Sequence, residues 1–374
     1  MMLHAIKRLS TRAVIAWCIA GVLAQALVHA HHRRWFSDAP HDFTGFYVGG
    51  RLVGTSSLYD PKDNLAVQSS VGIQPRDFII FVRLPYFALL LKPLASLPYR
   101  AAVLVWKALI VLALVLFACL FPYGSARVRW IALCWFVPAG DAFVMGQDSP
   151  FVILWVALAL RLRMTGAFFV SGLLFSLSAE KWHLLMLLPV ALVLLRDWRT
   201  LAGLISGWVV LVGSGFLIQG PTFLTQYYRA LTLPNMNAIP MIMPSFMGLS
   251  TILNTRGIYY AGLALTLTAM WRVARLRSFE RTLAIVLTFG ALIAPHSYVH
   301  DWTFALPGLI LLAVKESVTW PIPVISFTAI PLAYDGIPIG ALFLALCGSW
   351  LVIDRGWALD LNERVISDLR CRTT

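Results

Sequence analysis

The chain has 374 residues, 59% of them apolar and only 13% charged, against roughly 25% charged in a soluble domain. A soluble protein of this length needs more polar residues to cover its surface, so the composition excludes a soluble enzyme, a disordered chain and a disulfide scaffold. The net charge of +13 is what cytoplasmic loops rich in Lys and Arg give a membrane protein, without a nucleic-acid partner.

About 20 apolar residues cross the hydrocarbon core, and about a dozen runs are predicted to do so, at 13–30, 99–121, 130–145, 149–161, 165–179, 182–195, 200–218, 257–272, 281–295, 302–314, 320–334 and 337–353. The first run follows Lys7, Arg8 and Arg12 and is flanked by Val28-His29-Ala30-His31-His32. That flank is a poor cleavage site, so the run is expected to remain as an uncleaved anchor. Cys18, Cys119, Cys134 and Cys347 lie within apolar runs and Cys371 in the tail, where no periplasmic disulfide is expected. With the N-terminus inside, the short cytoplasmic segments and the tail carry 18 Lys and Arg, and the outer loops after the first carry only Lys181, Arg229 and Arg256. That bias predicts cytoplasmic termini and an even number of spans. One transmembrane domain over 1–374 is expected, with an outer loop at 31–98 and a tail at 354–374.

In chain order, His41-Asp42 to Gly54 reads as a short helix with Asp42 as cap, and Asp60-Pro61 as the start of a second. Arg83 to Leu94 is too short and Pro-broken to span, and is expected to dip into the outer leaflet with Arg83 and Lys92 at headgroup level. Asp42 has two readings from spacing alone, a helix cap or a general base at an interface. Gly146-Gln147-Asp148-Ser149-Pro150 and Ser178-Ala179-Glu180-Lys181-Trp182-His183 are short polar turns between apolar runs. Glu180 and Lys181 either neutralise each other or serve a function, since ionisable groups at membrane depth are costly.

The loop 219–256 contains Arg229 and a Met, Pro and Asn run suited to an adaptable contact with a lipid chain. Pro295 to Trp302 holds His296, His300 and Asp301; a capped helix start and a phosphate or sugar contact are both open, and a metal is the weaker reading because converging ligands are not implied. No phosphate-binding glycine loop, dinucleotide fingerprint or G-x-S-x-G is present. The predicted outer face collects the His residues and most acidic residues, so chemistry is expected there.

Asp42-Phe43, Phe46-Tyr47, Gly54 and Leu58-Tyr59-Asp60 resemble the first-loop signature of glycosyltransferase family 87. Gly146-Gln147-Asp148, then Gly166, Gly172, Lys181, Leu187, Pro189 and Arg196-Asp197-Trp198-Arg199, are similar to its later motifs in order and spacing, as is Pro295 to Asp301. The resemblance covers roughly 40–330. It implies an all-α polytopic GT-C fold in a bacterial inner membrane, with a polyprenyl-phosphate sugar as donor, mannose by default and arabinofuranose as the alternative. The acceptor is then a glycolipid or cell-envelope glycan on the periplasmic face. The resemblance also implies that Asp42 is the catalytic base and that the outcome is inverting. Candidates for holding the donor phosphate or sugar are Lys181, His300, His296, Asp301, Gln147, Asp148, Glu180 and Arg229, with no metal and no cofactor. The rivals are a lipid-linked-sugar flippase and an O-antigen ligase or polymerase.

Overall fold

A computed structural model describes residues 9–31, 41–74, 78–233 and 243–316, and among these every regular element is helical. Three apolar runs become α1 (Thr11–His31), α5 (Tyr99–Leu120) and α11 (Trp198–Gln219); 20-odd residues at ~1.5 Å each match the ~30 Å hydrocarbon core. These three are long and apolar enough to cross a membrane, and up to five spans result if each of two sharply bent pairs counts as one. The protein is therefore an all-α membrane protein.

α2 (His41–Leu52), α3 (Pro61–Ser70) and α4 (Pro85–Ala95) lie between the first two long helices, at the positions where the sequence pattern placed short elements. Asp60 caps α3, accepting from the Lys62 and Asp63 amides, with Pro61 in the first turn. The expectation for Asp42 needs correction: α2 begins at His41, which puts Asp42 inside the first turn rather than at the cap.

The predicted span 130–145 is a pair, α6 (Ala126–Cys134) and α7 (Val137–Met145), bent by 60°. Pro138 lies in the first turn of α7, and with no N–H it cannot continue the ladder of α6. The two spans predicted at 165–179 and 182–195 are the arms of a V. α9 (Phe168–Ser176) runs into a 3₁₀ helix (Leu177–Leu184), and α10 (Leu188–Leu194) leaves it at 118°. α8 (Ser149–Met164), α14 (Gly257–Arg275) and α15 (Phe279–Ile293) fall on the predicted spans 149–161, 257–272 and 281–295. A second 3₁₀ helix (Val299–Ala305) continued by α16 (Leu306–Glu316) covers 302–314. Two short helices, α12 (Phe223–Leu231) and α13 (Phe246–Ile252), occupy the loop after α11. The spans expected at 320–334 and 337–353, the tail, residues 234–242, and His32, Asp38 and Asp77 lie outside the described residues.

Packing uses two devices. α2, α4 and α5 meet through aromatic rings, with Phe43 stacked on Trp106 at 5.5 Å and Phe46 edge-on to Phe87 at 5.3 Å. α9 and α11 meet backbone to backbone: a Cβ on Gly203 would lie 2.0 Å from the Phe169 carbonyl, the close approach that small residues allow between membrane helices.

Polar junctions between apolar helices gather at two separate places. At one, Arg163 pairs with Asp197, donates to Thr200 at 2.9 Å and lies 3.6 Å from the Phe279 ring centre. Tyr123 there donates to Glu280 at 3.0 Å and faces Lys315. The other holds Arg83, Asp148, Lys181 and Asp301. Every turn expected on the cytoplasmic side that takes part is in the first group, and every one expected outside is in the second.

Candidate active site

The second junction is delivered by four segments, each fixed by its own local chemistry. Arg83 ends an extended stretch that no sheet supports; the α3 amides do so instead. Gln68 donates to the Ile79 carbonyl at 2.6 Å and accepts from its N–H at 3.1 Å, and Asn64 accepts from the Phe81 N–H at 3.1 Å. Both amide side chains are fully buried, i and i+4 on one face of α3. Tyr59 then donates to the Arg83 carbonyl at 2.8 Å. Asp148 follows Gly146, whose φ of +70° closes α7 in the left-handed conformation that glycine adopts freely, and Trp106 donates to the Gly146 carbonyl at 2.8 Å. Lys181 sits at the kink of the first 3₁₀ helix with φ −127° and ψ 50°. The Tyr298 N–H donates to Asp301 at 2.9 Å, closing a capping box at the second.

These side chains form a buried line of alternating charge. The Arg83 Nε donates to Asp148 Oδ2 at 2.7 Å and a terminal nitrogen reaches Oδ1 at 3.4 Å. Lys181 Nζ is 3.2 Å from Asp148 Oδ1 and pairs with Asp301 Oδ1. His300 Nε2 is 3.7 Å from Asp301 Oδ2 and its Nδ1 is 3.6 Å from Asp141 Oδ2; Asp141 Oδ1 is 3.6 Å from His29 Nε2. Lys181 is 2% exposed and Asp148 fully buried, so water does not screen these pairs. Burial by itself raises the Asp148 and Asp301 pKa values. Arg83 and Lys181 around Asp148, and Lys181 and His300 around Asp301, outweigh it and hold both carboxyls below the usual range.

Of the residues expected from the sequence, Lys181, Asp148, Asp301 and His300 meet directly. Glu180 is buried beside them and hydrogen-bonded to Trp155, and His296 stands 6.3 Å from His183, ring to ring. Gln147 is buried next to Asp148. Asp42 is half-buried in the first turn of α2, and its charge reaches His300. Among the described residues no hydrogen bond or ion pair occupies its carboxylate. Arg229 is exposed on α12, two residues from Tyr227, which turns inward onto Tyr59 at 5.6 Å. That spacing puts Arg229 on the opposite helix face, away from the cluster.

The sequence reading missed two groups. Arg83 was expected at headgroup level, but its side chain is only 13% exposed and bound to Asp148; Lys92, in the last turn of α4, is the exposed one of the two. Asp141 and His29 joined no predicted site, although a lone acid inside an apolar run is itself a signal. Several buried polar atoms at these turns have no partner among the described residues: Gln147 Oε1, Ser178 Oγ, Glu180 Oε1, His183 Nε2, Ser297 Oγ and Trp302 Nε1. Such atoms are rare in a finished core and suit a ligand rich in hydroxyls.

The fold and the site define a class, a multi-pass helical membrane protein with a buried charged site built from interhelical turns. A model of glycosyltransferase family 87 matches residues 84–295, more than half of the chain, and the chain belongs to that family. The match includes Asp148, Glu180 and Lys181 but not Asp42 or His300. The chain is 26% identical over 297 residues to a polyprenol-phosphate-mannose-dependent alpha-(1-2)-phosphatidylinositol pentamannoside mannosyltransferase of Mycolicibacterium smegmatis, covering 70% of this chain and 66% of that protein. It is 26% identical over 274 residues to the protein of the same description in Mycobacterium tuberculosis, covering 64% and 60%. The chain thus spans just under two thirds of the length of these relatives. No solved structure matches it.

Proposed function

We propose that the protein transfers a sugar, mannose by analogy with these relatives, from a polyprenyl-phosphate donor to a glycolipid or cell-envelope glycan. The reaction is set on the periplasmic face of a bacterial inner membrane, in a GT-C architecture of about a dozen spans with both termini in the cytoplasm. The observation that carries this reading is the convergence, in a member of this family, of Asp148, Lys181, Asp301 and His300 within reach of the Asp42 charge.

In this mechanism Asp42 removes the proton of the acceptor hydroxyl as that oxygen attacks the anomeric carbon, and the bond to the phosphate oxygen breaks with inversion. The electron pair leaves with the polyprenyl phosphate. General-base help of this kind is worth ~10² to 10⁴ in rate. The developing positive charge on the ring resembles that of glycoside hydrolysis. Lys181 has one ammonium hydrogen beyond its two carboxylate partners, and with His296 it is suited to receive the phosphate. Gln147 and Glu180, each with an oxygen unpaired among the described residues, suit sugar hydroxyls. Asp148 and Asp301 hold Lys181 in place, and no metal or cofactor enters the scheme. Arg229, on the outward face of α12, is left to the lipid headgroups.

The test is sugar transfer in membranes carrying wild type or Asp42→Asn at equal protein level, with product followed by mass spectrometry. Loss of ~10²-fold or more with normal membrane level supports the reading; retained transfer by Asp42→Asn removes the base.

A further inference from the structure

We propose that Arg83 and Lys181 form a clamp for the phosphate of a lipid-borne monophosphate, Arg83 supplying paired hydrogen bonds and Asp148 acting as the spacer that sets the two cations. This rests on the phosphate-linked donor proposed above and adds to it a binding residue, Arg83, that lies just before the family match.

Both cations hold the same carboxylate. Arg83 reaches Asp148 Oδ2 through Nε at 2.7 Å and Oδ1 through a terminal nitrogen at 3.4 Å, and Lys181 Nζ is 3.2 Å from that same Oδ1. One oxygen thus sits between the guanidinium and the ammonium, and a group the size of a phosphate can touch both. The guanidinium has five N–H donors, of which Asp148 takes two. Its other terminal nitrogen, Nη1, has no partner among the described residues, although the side chain is only 13% exposed. A planar fork with donors to spare is what phosphate oxygens accept from in pairs. Holding Asp148 does not by itself account for an arginine, because Lys181 already reaches that carboxylate.

The charged line also has a direction. It begins at Arg83 and runs through Asp148 and Lys181 to Asp301, and Asp141 adds another carboxylate on the far side of His300. An anion is favoured at the Arg83 end and repelled at the other.

The clamp is held ready before any ligand arrives. Gln68, Asn64 and Tyr59 fix the stretch that carries Arg83, and the Phe46 ring centre lies 5.4 Å from its guanidinium carbon. Tyr86 donates to the Leu177 carbonyl at 3.3 Å, tying the start of α4 to the 3₁₀ helix that carries Lys181. α4 also supplies the argument for a lipid: it buries Tyr86, Phe87, Ala88 and Leu91 and leaves Leu89 and Leu90 exposed, so an apolar surface suited to a prenyl chain begins within two turns of Arg83.

In transfer, the bond between the anomeric carbon and the phosphate oxygen breaks and its electron pair stays on the phosphate. The sugar passes to the acceptor oxygen, whose proton passes to the base. A phosphodiester with one negative charge becomes a monoester with nearly two, so the clamp holds the leaving group more tightly than the donor.

The experiment measures binding of farnesyl phosphate, farnesol and inorganic phosphate to the purified full-length protein in micelles by calorimetry, with sugar transfer followed alongside. Wild type, Arg83→Lys and Asp148→Asn are compared, each checked for membrane level and unfolding midpoint. Wild type is expected to bind farnesyl phosphate at least about tenfold more tightly than either farnesol or inorganic phosphate. Arg83→Lys keeps a charge beside Asp148 but loses the fork. It is expected to bind farnesyl phosphate about tenfold more weakly, with farnesol binding unchanged and the donor KM raised. Asp148→Asn frees both cations and is expected to bind farnesyl phosphate at least as tightly as wild type. Unchanged farnesyl phosphate affinity in Arg83→Lys overturns the proposal and leaves Arg83 as a structural partner of Asp148. Inorganic phosphate binding as tightly as farnesyl phosphate overturns the lipid-borne ligand. If Arg83→Lys does not fold, Asp148→Asn decides alone, and loss there of the preference for farnesyl phosphate over farnesol overturns the proposal. Binding needs no transfer, so the two readings fail separately: a phosphate preference that depends on Arg83 in a protein that moves no sugar supports the clamp while removing the transferase.

Discussion

Lys181→Met tests whether the charged line at the site is a mutually dependent unit. The methionine keeps the length and the apolar stem but leaves Asp148 and Asp301 facing one another, both essentially buried. Breaking a buried pair by removing one partner costs about 3 to 5 kcal/mol. The low end applies here, because Asp148 keeps Arg83 at 2.7 Å, and Asp301 keeps the Tyr298 N–H at 2.9 Å and His300 at 3.7 Å. The expected loss is therefore about 3 kcal/mol, read from the unfolding midpoint of purified protein in mixed dodecylmaltoside and SDS micelles. Adding Asp301→Asn removes the uncompensated charge, so the double variant should be about 1 to 2 kcal/mol more stable than Lys181→Met alone, the coupling expected of groups in one network. A loss under about 1 kcal/mol for Lys181→Met, with no recovery in the double variant, would refute the pairing.

The remaining expectations use the same assay. Gly203→Leu should destabilise by about 1 to 3 kcal/mol, since its Cβ meets the Phe169 carbonyl, while Gly213→Ala, where nothing lies within 4 Å, should be neutral or better by up to about 1 kcal/mol. Arg163→Lys should cost about 1 kcal/mol: it loses the planar stack on Phe279 and the simultaneous reach to Asp197 and Thr200. For pH the signs are opposite. The raised His300 pKa gives stability that is complete below its unfolded value of about 6.5 and is lost as pH rises through the folded value, so His300→Gln should flatten an alkaline decline. The depressed Asp148 and Asp301 values give stability present above about pH 4 and lost on further acidification, so Lys181→Met should flatten the acid limb. A stability profile with the same slopes in the variants as in wild type would contradict these assignments.

The sequence by itself determined what neighbouring residues decide. Hydropathy marked α1, α5 and α11, because crossing a membrane is a property of one continuous run. Asp60-Pro61 announced the start of α3, because capping is completed within three residues. The polar turns at 146–150, 178–183 and 295–302 stood out, because each interrupts an apolar run. Tertiary structure decided which of those turns meet. Arg83 finds Asp148 across 65 positions and Lys181 finds Asp301 across 120, and no local pattern encodes such pairings. It also turned two predicted spans into the arms of a V that bends just after Leu184, seated an extended stretch on the amides of Asn64 and Gln68, and drew His29 of the anchor helix toward Asp141. The physical reason is the same in each case: a buried charge or amide must be satisfied by whatever group the packed helices bring within reach, and that group is chosen by the whole fold.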